Sequence, residues 1–408
     1  MKKATIYLIL LFLVSCGNRT GNQEVAENYD SNQFFVVNYE DILERPSTVM
    51  LSDLAYDIEY IRLETNEKCI LHAKAEYFFT SEFIFVDNSS HILKFDRNGK
   101  FIAQIGKQGR GPGEIGLIRM LSVLEEEEQL VVQTNWARKL YYFSFDGSFL
   151  KSVPVNDVHR IVALPHDRLI VFDGCNNGYE DYMFILTNAA GDTTGVVYNH
   201  YKWEIKNSGM MLVGYDAFTP FYKYGGVTSF KSMHNDTVYH VINDTIKPEY
   251  LINLGRYKLP QEMRIEAQAA SQYGFQEFNE KSKDYRFVSS LEASEILFIT
   301  SQEYSEENQY NLIYHRTGKA SNIVVDKFGD PGSITNDLDG GLDFWPRGTV
   351  NDSILFVPLL PYQIIGDKNL AEFSVKEALD QEKKRQFLEM VNSLGENDNP
   401  VLMIVTLK

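Results

Sequence analysis

The sequence predicts an all-β protein, a six-bladed β-propeller with a short helical insertion and a C-terminal helix before the closing strand. Two observations predict it. From residue 34 to residue 365, apolar and polar residues alternate with a period of two, and Asp, Asn and Gly turns interrupt the pattern at short intervals. Within that span a unit of roughly 40 to 50 residues recurs, which is the size of a four-stranded propeller blade.

The repeated unit is a hairpin in which an apolar strand leads to an aromatic strand, a glycine turn and a third strand. Phe83–Asp87, Ile92–Asp96 and Phe101–Gly106 form the clearest copy, with Asn98-Gly99 as a tight hairpin turn. Further copies begin at Leu130 and Leu169, and degenerate copies cover 229–254, 296–325 and 350–366. The sequence therefore predicts six blades.

A closed ring of blades leaves only short, protected strand edges, but the first and last blades must join. The C-terminal strand Val401–Leu407 is apolar throughout, and we expect it to pair beside the early strand around Ile58–Leu63. This pairing would close the ring.

Two segments have helical periodicity. Residues 260–281 predict a short amphipathic helix inserted between blades. Residues 374–394 predict a second helix, which opens with Ser374 and Glu377 in capping-box spacing and ends at Gly395. Its apolar stripe consists of Phe387, Val391 and Leu394.

The N-terminus has the features of an export signal. Two lysines precede the apolar run from Ile6 to Val14, which is shorter than the roughly 20 residues that span a bilayer. Leu13-Val14-Ser15-Cys16 resembles a bacterial lipobox, in which the cysteine thiol receives lipid and the chain is cut before it. Long palmitate-type acyl chains on Cys16 would anchor the protein to a membrane. The alternative is an ordinary signal peptide in which Cys16 has no role.

These features divide the chain into three parts. Residues 1–15 are predicted to be a lipoprotein signal peptide, residues 16–33 a flexible tether and residues 34–408 the propeller. The tether is rich in Asn, Gly and Glu and too poor in apolar residues to form a core.

Charge excludes one class of partner. The net charge is −17, and removal of the signal peptide deletes two lysines and no acidic residue, which brings it to about −19. Nucleic acid is not expected as a partner, since phosphate binding needs clustered Lys and Arg. The acidic run Glu125–Glu128 predicts a solvated turn between strands.

Two cysteines remain besides Cys16. Cys69 falls in the first predicted blade and Cys175 in the third, too far apart for a disulfide. We expect both to be free and buried. The sequence contains no Cys-x-x-Cys or His-Glu-x-x-His spacing, and its eight histidines are scattered singly.

Several stretches resemble one family. They are Leu51-Ser52-Asp53 with Ile58–Thr65, Phe95–Phe101 with the glycine loop Ile105–Glu114, Asn336–Gly341 with Phe344-Trp345-Pro346, and Asn399–Leu402. In these stretches the chain resembles the six-bladed β-propeller lipoproteins of Gram-negative gut bacteria, which are related in outline to NHL-repeat propellers. The resemblance covers about residues 34–408 and is best in the first blade. It implies the fold and the lipid anchor but no function, since propellers host binding and enzymatic roles alike.

The glycine-rich stretch from Gly106 to Glu114 could be read as a phosphate loop because it also contains Lys107 and Arg110. A Walker loop needs Gly-Lys-Ser/Thr opening a helix, whereas strands flank this stretch. It therefore predicts a tight connection between blades. The alternative is that Arg110 lies near the ring opening and contacts an anion or carboxylate.

Three carboxylates, Asp337, Asp339 and Asp343, surround Gly340-Gly341 and could supply oxygen ligands for calcium. The spacing differs from an EF-hand loop, and turn chemistry explains the same residues. Beside them, Trp345 is either part of the packing between blades or a ligand platform. Calcium is thus a possible cofactor, and no other cofactor is expected.

No serine, cysteine or carboxylate set stands out as a catalytic constellation. The leading hypothesis is a lipid-anchored extracytoplasmic binding or interaction module for a glycan, peptide or partner protein. The alternative is an NHL-like metal-assisted hydrolase or lyase with its site at the central channel mouth. We expect a monomeric outer membrane lipoprotein that is either periplasmic or surface-exposed.

Overall fold

The computed structural model describes residues 35–408 apart from 110, 112, 136–137, 156–159, 173–180, 201–220, 233–234, 264–276, 279, 305–308, 324–333 and 366. The predicted signal peptide and tether, with Cys16, lie outside the described residues. Arg110 and Cys175 lie outside them as well.

The strands form six sheets that are arranged as the blades of a β-propeller, as predicted. Blade 1 consists of β4 (Glu76–Phe79), β5 (Phe83–Asp87), β6 (Ile92–Asp96) and β7 (Phe101–Ile105), and blade 2 of β10 (Ile118–Leu124), β11 (Gln129–Thr134), β12 (Lys139–Ser144) and β13 (Phe149–Pro154). Blade 3 consists of β14 (Arg160–Leu164), β15 (Arg168–Phe172), β16 (Tyr182–Thr187) and β17 (Thr193–Tyr198), and blade 4 of β18 (Phe221–Tyr224), β19 (Val227–Phe230), β20 (Thr237–Ile242) and β21 (Thr245–Asn253). Blade 5 consists of β22 (Arg286–Ala293), β23 (Ile296–Glu303), β24 (Gln309–His315) and β25 (Ala320–Ile323), and blade 6 of β26 (Gly348–Asn351), β27 (Ile354–Leu359), β28 (Val401–Leu407) and β3 (Ala55–Arg62). In each blade these strands run from the innermost to the outermost.

The hydrophobic core lies between the blades. One apolar cluster joins Phe85 of blade 1 to Leu121 and Phe143 of blade 2, and another joins Phe184 of blade 3 to Phe230 of blade 4. Because both faces of each blade are covered, strands such as Ile296–Glu303 are buried along almost their whole length. The period-two alternation is therefore weakest in the strands at the blade centres.

The ring closes through the two ends of the chain. β28 lies between β27 and β3, and its register with β3 runs from Val401 opposite Arg62 to Leu407 opposite Ala55. The predicted pairing of the C-terminal strand is therefore confirmed. Blade 6 takes three strands from the C-terminal part of the chain and its outermost strand from the N-terminal part.

The residues before β3 cover the rims of two blades, which the sequence did not predict. β1 (Phe35–Asn38) pairs in parallel with β21 at the outer edge of blade 4, and β2 (Pro46–Ser47) pairs in parallel with β25 of blade 5. Two short helices, α1 (Tyr39–Leu43) and α2 (Leu51–Leu54), complete this segment. The Tyr39 hydroxyl lies 2.7 Å from Ser301 Oγ of blade 5, with the ring fully buried. We call residues 35–54 the belt.

The predicted helix at 374–394 has a different start. The chain forms α3 (Pro361–Ile364), α4 (Asp367–Val375) and α5 (Gln381–Asn392), so Ser374 lies in the last turn of α4. There its hydroxyl donates to the carbonyl of Leu370. Asp380 caps α5 instead, since its carboxylate accepts the N–H groups of Glu382 and Lys383 at 3.0 Å. The predicted apolar stripe of Phe387, Val391 and Leu394 is buried, as expected.

The inserted helix at 260–281 is described only at its two ends, where residues 261–263, 277–278 and 280–282 are helical. Phe278 is buried and packs edge-on against Tyr304, with ring centroids 6.0 Å apart. Cys69 is buried and free, as predicted, and its thiol donates to the carbonyl of Glu64. In the described part of the chain, no helix is both long and apolar enough to cross a bilayer.

A buried ion network joins blades 4 and 5. Glu292 of β22 is 1% exposed and accepts hydrogen bonds from the Tyr222 hydroxyl at 3.0 Å and from Arg316 at 2.6 Å. The Nε2 atom of His240 lies 3.2 Å from the same carboxylate, and Arg316 also donates to Glu249. The two blades are therefore held together by polar as well as apolar contacts.

Gly99 tests the contact between blade 1 and β3, the outermost strand of blade 6. Substitution by Ala would place Cβ 2.1 Å from the carbonyl oxygen of Arg62 at a φ of +84°. We expect Gly99→Ala to lower the free energy of unfolding by about 2–4 kcal/mol, measured by urea denaturation. Gly318→Ala is the matched control, since Gly318 has the same turn hydrogen bonds and a φ of +91° but no atom within 4 Å. It should lose only about 1 kcal/mol. If both variants lose the same free energy of unfolding, the close approach of Gly99 to Arg62 contributes nothing to stability.

Candidate functional site

The topology makes the two ends of the channel different. Consecutive strands within each blade are antiparallel, so the turns from first to second strand all lie at one end, which we call the turn end. These turns are short, and they are residues 80–82, 125–128, 165–167, 225–226, 294–295 and 352–353. The connections between blades, and those from second to third strand, begin and end at the other end, the connection end. They range from residues 88–91 to residues 360–400.

Hydrogen bonds join the turns of neighbouring blades at the turn end. The carboxylates of Glu125 and Glu127 accept the backbone N–H groups of Ser81 in blade 1 and His166 in blade 3. Asp352 of blade 6 accepts the N–H groups of Gly225 and Ser294 from blades 4 and 5 at 3.0 and 2.8 Å. The acidic run at 125–128 forms a turn, as predicted, but two of its carboxylates connect blades. The turn end is therefore fixed by its own contacts.

Arginines mark the connection end, where the innermost strands begin. Arg160 is the first residue of β14, Arg119 the second residue of β10, and Arg347 directly precedes β26. Arg119 lies at a register shift between Ile118 and Met120, and such bulges turn a side chain away from its regular direction. Arg160 is half-buried and Arg347 exposed, and neither has a carboxylate partner among the residues that the structure describes. Arg160 and Arg347 therefore place two guanidinium groups at the mouth of a protein whose net charge is −17.

Arg286, the first residue of β22, has another role. Its guanidinium pairs with Glu303 at 2.9 Å, and both side chains are 8% exposed. It also lies over the rings of Tyr257 and Tyr310. Arg286 therefore stabilises blade 5 and is not accessible to a ligand.

Blade 1 contributes two carboxylates to the same mouth. Glu76 begins β4 and lies directly opposite Asp87, the last residue of β5. Burial raises the pKa of Asp87, the hydrogen bond from Ser89 N–H lowers it and the charge of Glu76 raises it, which together bring the pKa to about 6. Perturbed carboxylates often mark functional sites. The sequence analysis missed this pair because only the strand register brings the two residues together.

The glycine-rich stretch that the sequence singled out connects blades 1 and 2 and therefore lies at the connection end. Within it β8 (Lys107–Gln108) and β9 (Glu114–Ile115) pair in parallel, and Arg110 lies outside the described residues. The N–H of Gly111 donates to the Glu114 carboxylate at 2.8 Å. Trp345 donates from Nε1 to Thr300 Oγ1 at 2.9 Å and packs edge-on against Phe298, so it joins blades 5 and 6.

The three predicted calcium ligands each have a protein partner. Asp337 accepts both the N–H and the hydroxyl of Ser52 in α2. Asp339 is buried and accepts the N–H of Gly341, whereas Asp343 pairs with Lys376 at 2.7 Å. Within the described residues, no group of three or more His, Cys, Asp or Glu side chains is arranged to hold a metal ion. Calcium binding therefore remains a sequence prediction that these contacts do not favour.

The Asp87 pKa predicts a specific pH dependence. A folded-state pKa raised to about 6 means that ionisation of Asp87 costs stability, so the cost grows as pH rises from the usual Asp pKa of about 4 and is complete above about 6. We expect Asp87→Asn to leave stability unchanged near pH 4 and to raise it by about 1–3 kcal/mol at pH 7.5.

Asp146→Asn is a control of opposite sign. Hydrogen bonds from Ser144 and Ser148 lower the pKa of Asp146 to about 2. Its substitution should therefore destabilise the protein at neutral pH, and the loss should shrink as pH falls toward 2. Denaturant titrations at several pH values measure both variants. A pH-independent effect of Asp87→Asn would contradict the assigned pKa.

Comparison with known proteins establishes the family. No curated protein sequence matches the chain. Among solved structures, a presumed exported protein from Bacteroides fragilis NCTC 9343 is 18% identical and covers 92% of this chain and 99% of its own, with a TM-score of 0.68. This likeness supports the fold. A member of the duf4221 family from Bacteroides vulgatus ATCC 8482 is 12% identical over 87% of this chain and 97% of its own, with a TM-score of 0.48. Virginiamycin B lyase from Staphylococcus aureus is 10% identical over 69% of this chain and 78% of its own, with a TM-score of 0.34. Because both TM-scores are below 0.5, the duf4221 protein and the lyase carry no functional argument. A family profile described as "Domain of unknown function (DUF4934)" matches residues 34–406, and the chain therefore belongs to the DUF4934 family.

Proposed function

We propose that this protein is an exported, lipid-anchored binding module that captures its ligand at the connection end of the propeller. The observation that supports this most is the difference between the two ends. The turn end consists of short turns bonded to one another, as in the contact of Gly225 with Asp352. The connection end carries every long connection, and ligand sites in proteins concentrate on such loops over a rigid scaffold.

The proposed ligand is a glycan, a peptide or a partner protein. Arg160 and Arg347 lie where innermost strands begin at the mouth, and blade 1 contributes the carboxylates of Glu76 and Asp87 to the same end. Such convergent polar groups suit recognition of a polar ligand. The enzymatic alternative has no specific observation in its favour, and we therefore propose that the protein binds its ligand without turning it over. We also propose that it is a monomer.

A binding screen with mapping of the contact face tests this function. The mature chain would be screened against glycan and peptide arrays, and any ligand would be mapped by hydrogen–deuterium exchange. We expect protection in the connections, including 106–109 and 231–232, and unchanged exchange in the turns at 125–128 and 294–295. Protection centred on the turn end, or turnover of the bound compound, would contradict the proposal.

The lipid anchor has its own test. Cys16→Ser removes the thiol that would accept lipid, so the variant should lose acylation and partition into the aqueous phase of a detergent separation. Its melting temperature should equal that of the parent, because residue 16 precedes the matched region 34–406. Membrane association that persists in the variant would refute the anchor. A large drop in melting temperature would instead refute the separation of tether and propeller.

A further inference from the structure

Two tyrosines form an exposed pair at the connection end of blade 3. Tyr182 begins β16 and Tyr198 ends β17, and the two residues lie directly opposite each other across the strands. Their ring centroids are 5.3 Å apart, and the side chains are 37% and 57% exposed. The ring of His200 lies 6.4 Å from that of Tyr198. These rings add nothing to the core, so they form an aromatic surface that solvent or a ligand can reach.

The backbone places this pair beyond the body of the blade. A register shift between Tyr182 and Phe184 marks a bulge at Met183, which directs Tyr182 away from the regular pleat. Phe184 lies in the row of paired residues that crosses the blade from Arg160 through Phe172. Tyr182 is two residues past Phe184 and Tyr198 is one residue past Val197, so the pair lies about 3–7 Å further toward the connection end than this row.

Arg160 lies at the inner end of the same blade edge. It is on the innermost strand, and the tyrosines are on the two outermost strands, so roughly 10–15 Å of sheet separates them. The guanidinium has no carboxylate partner in the described part of the chain. An Arg side chain without a partner favours a carboxylate ligand, which it can bind with two parallel hydrogen bonds.

From this arrangement we infer that the connection edge of blade 3 binds an acidic glycan. A carboxylate of a uronate-type sugar pairs with Arg160, and neighbouring sugar rings stack their apolar faces on Tyr182 and Tyr198. The distance between the two parts suits a short oligosaccharide. This inference rests on the proposed function and specifies its ligand.

A glycan fits these observations better than an acidic peptide. Extended peptides bind to sheet edges mainly through backbone hydrogen bonds along a strand. The outer edge of β17 is unpaired, but the exposed rings and Arg160 lie at the ends of strands, spread across the sheet. A peptide paired along β17 would run roughly 14 Å from the strand that carries Arg160. An acidic peptide is therefore the competing outcome that the experiment must separate.

The experiment measures binding of short galacturonate oligomers to the mature chain by calorimetry. Neutral galactose oligomers and poly-glutamate of similar length are the comparison ligands. Arg160→Glu and the double variant Tyr182→Ala/Tyr198→Ala should each weaken galacturonate binding at least about tenfold. Two control variants alter exposed residues elsewhere. Lys319→Glu reverses a charge at the turn end, and Tyr56→Ala removes a tyrosine of β3 that is 66% exposed. Both should bind as the parent does.

Thermal melts establish that each variant is folded, and Arg160→Gln replaces Arg160→Glu if the reversed charge prevents folding. Higher salt should weaken binding of the parent, because the Arg160 contact is ionic. Equal affinity for poly-glutamate would show that the ligand is an acidic peptide, which overturns the inference. Galacturonate binding that survives both sets of substitutions overturns it too, and leaves the proposed function intact. If galacturonate does not bind at all and another ligand maps to the connection end, the inference is likewise overturned while the proposed function stands.

Discussion

The pairing of β28 with β3 is the interaction on which the rest of the ring depends. Successive side chains of a strand point to opposite faces, so β28 contributes to two cores at once. Val401, Met403 and Val405 pack toward blade 5, whereas Leu402 and Ile404 pack toward blade 1. Without β3 this buried strand would become a sheet edge, and neither of its cores would be complete. The contact joins residues more than 300 positions apart along the chain. The whole ring must therefore be assembled before it is stable.

Closure also explains the belt. Because β3 must reach the outside of blade 6, the residues before it run along the rims of blades 4 and 5 and cover their edges. Between these two blades, the buried carboxylate of Glu292 has partners from both. A buried ion pair adds little net stability, but loss of one partner costs about 3–5 kcal/mol. We interpret the network around Glu292 as fixing how the two blades are oriented, while apolar contacts supply most of the stability.

The sequence predicted what depends on local pattern and missed what depends on register. Six repeats and the closing strand follow from alternation and from apolar runs, and both are confirmed. The start of α5 was wrong because the spacing of Ser374 and Glu377 satisfies a capping pattern, yet Asp380 offers a carboxylate to two N–H groups. The sequence left Asp337 and Trp345 between a structural role and a ligand role, because nothing in it reveals that Ser52 and Thr300 are their partners. The sequence analysis did not single out Arg160, because its place at the mouth follows only from knowing which strand of the blade is innermost.

Some groups at the connection end are poorly satisfied by the protein itself. Asp87 lies opposite Glu76, and its raised pKa shows that the folded state disfavours the charged carboxylate. Register shifts occur at Arg119 and next to Tyr182, and each interrupts the hydrogen bonding of its strand. Exposed aromatic rings lie beside the second of these bulges. At the turn end, by contrast, the carboxylates of Glu125, Glu127 and Asp352 serve as acceptors for neighbouring turns. Left-handed backbone at non-glycine residues does not distinguish the connection end, since it occurs mainly in the turns of the turn end, at residues such as Glu128 and Glu295. The two ends differ instead in their polar and aromatic groups. A carboxyl that is disfavoured in its charged form and exposed rings can gain contacts from a ligand, whereas acceptors already bonded to neighbouring turns cannot. This difference favours the connection end as the site of recognition.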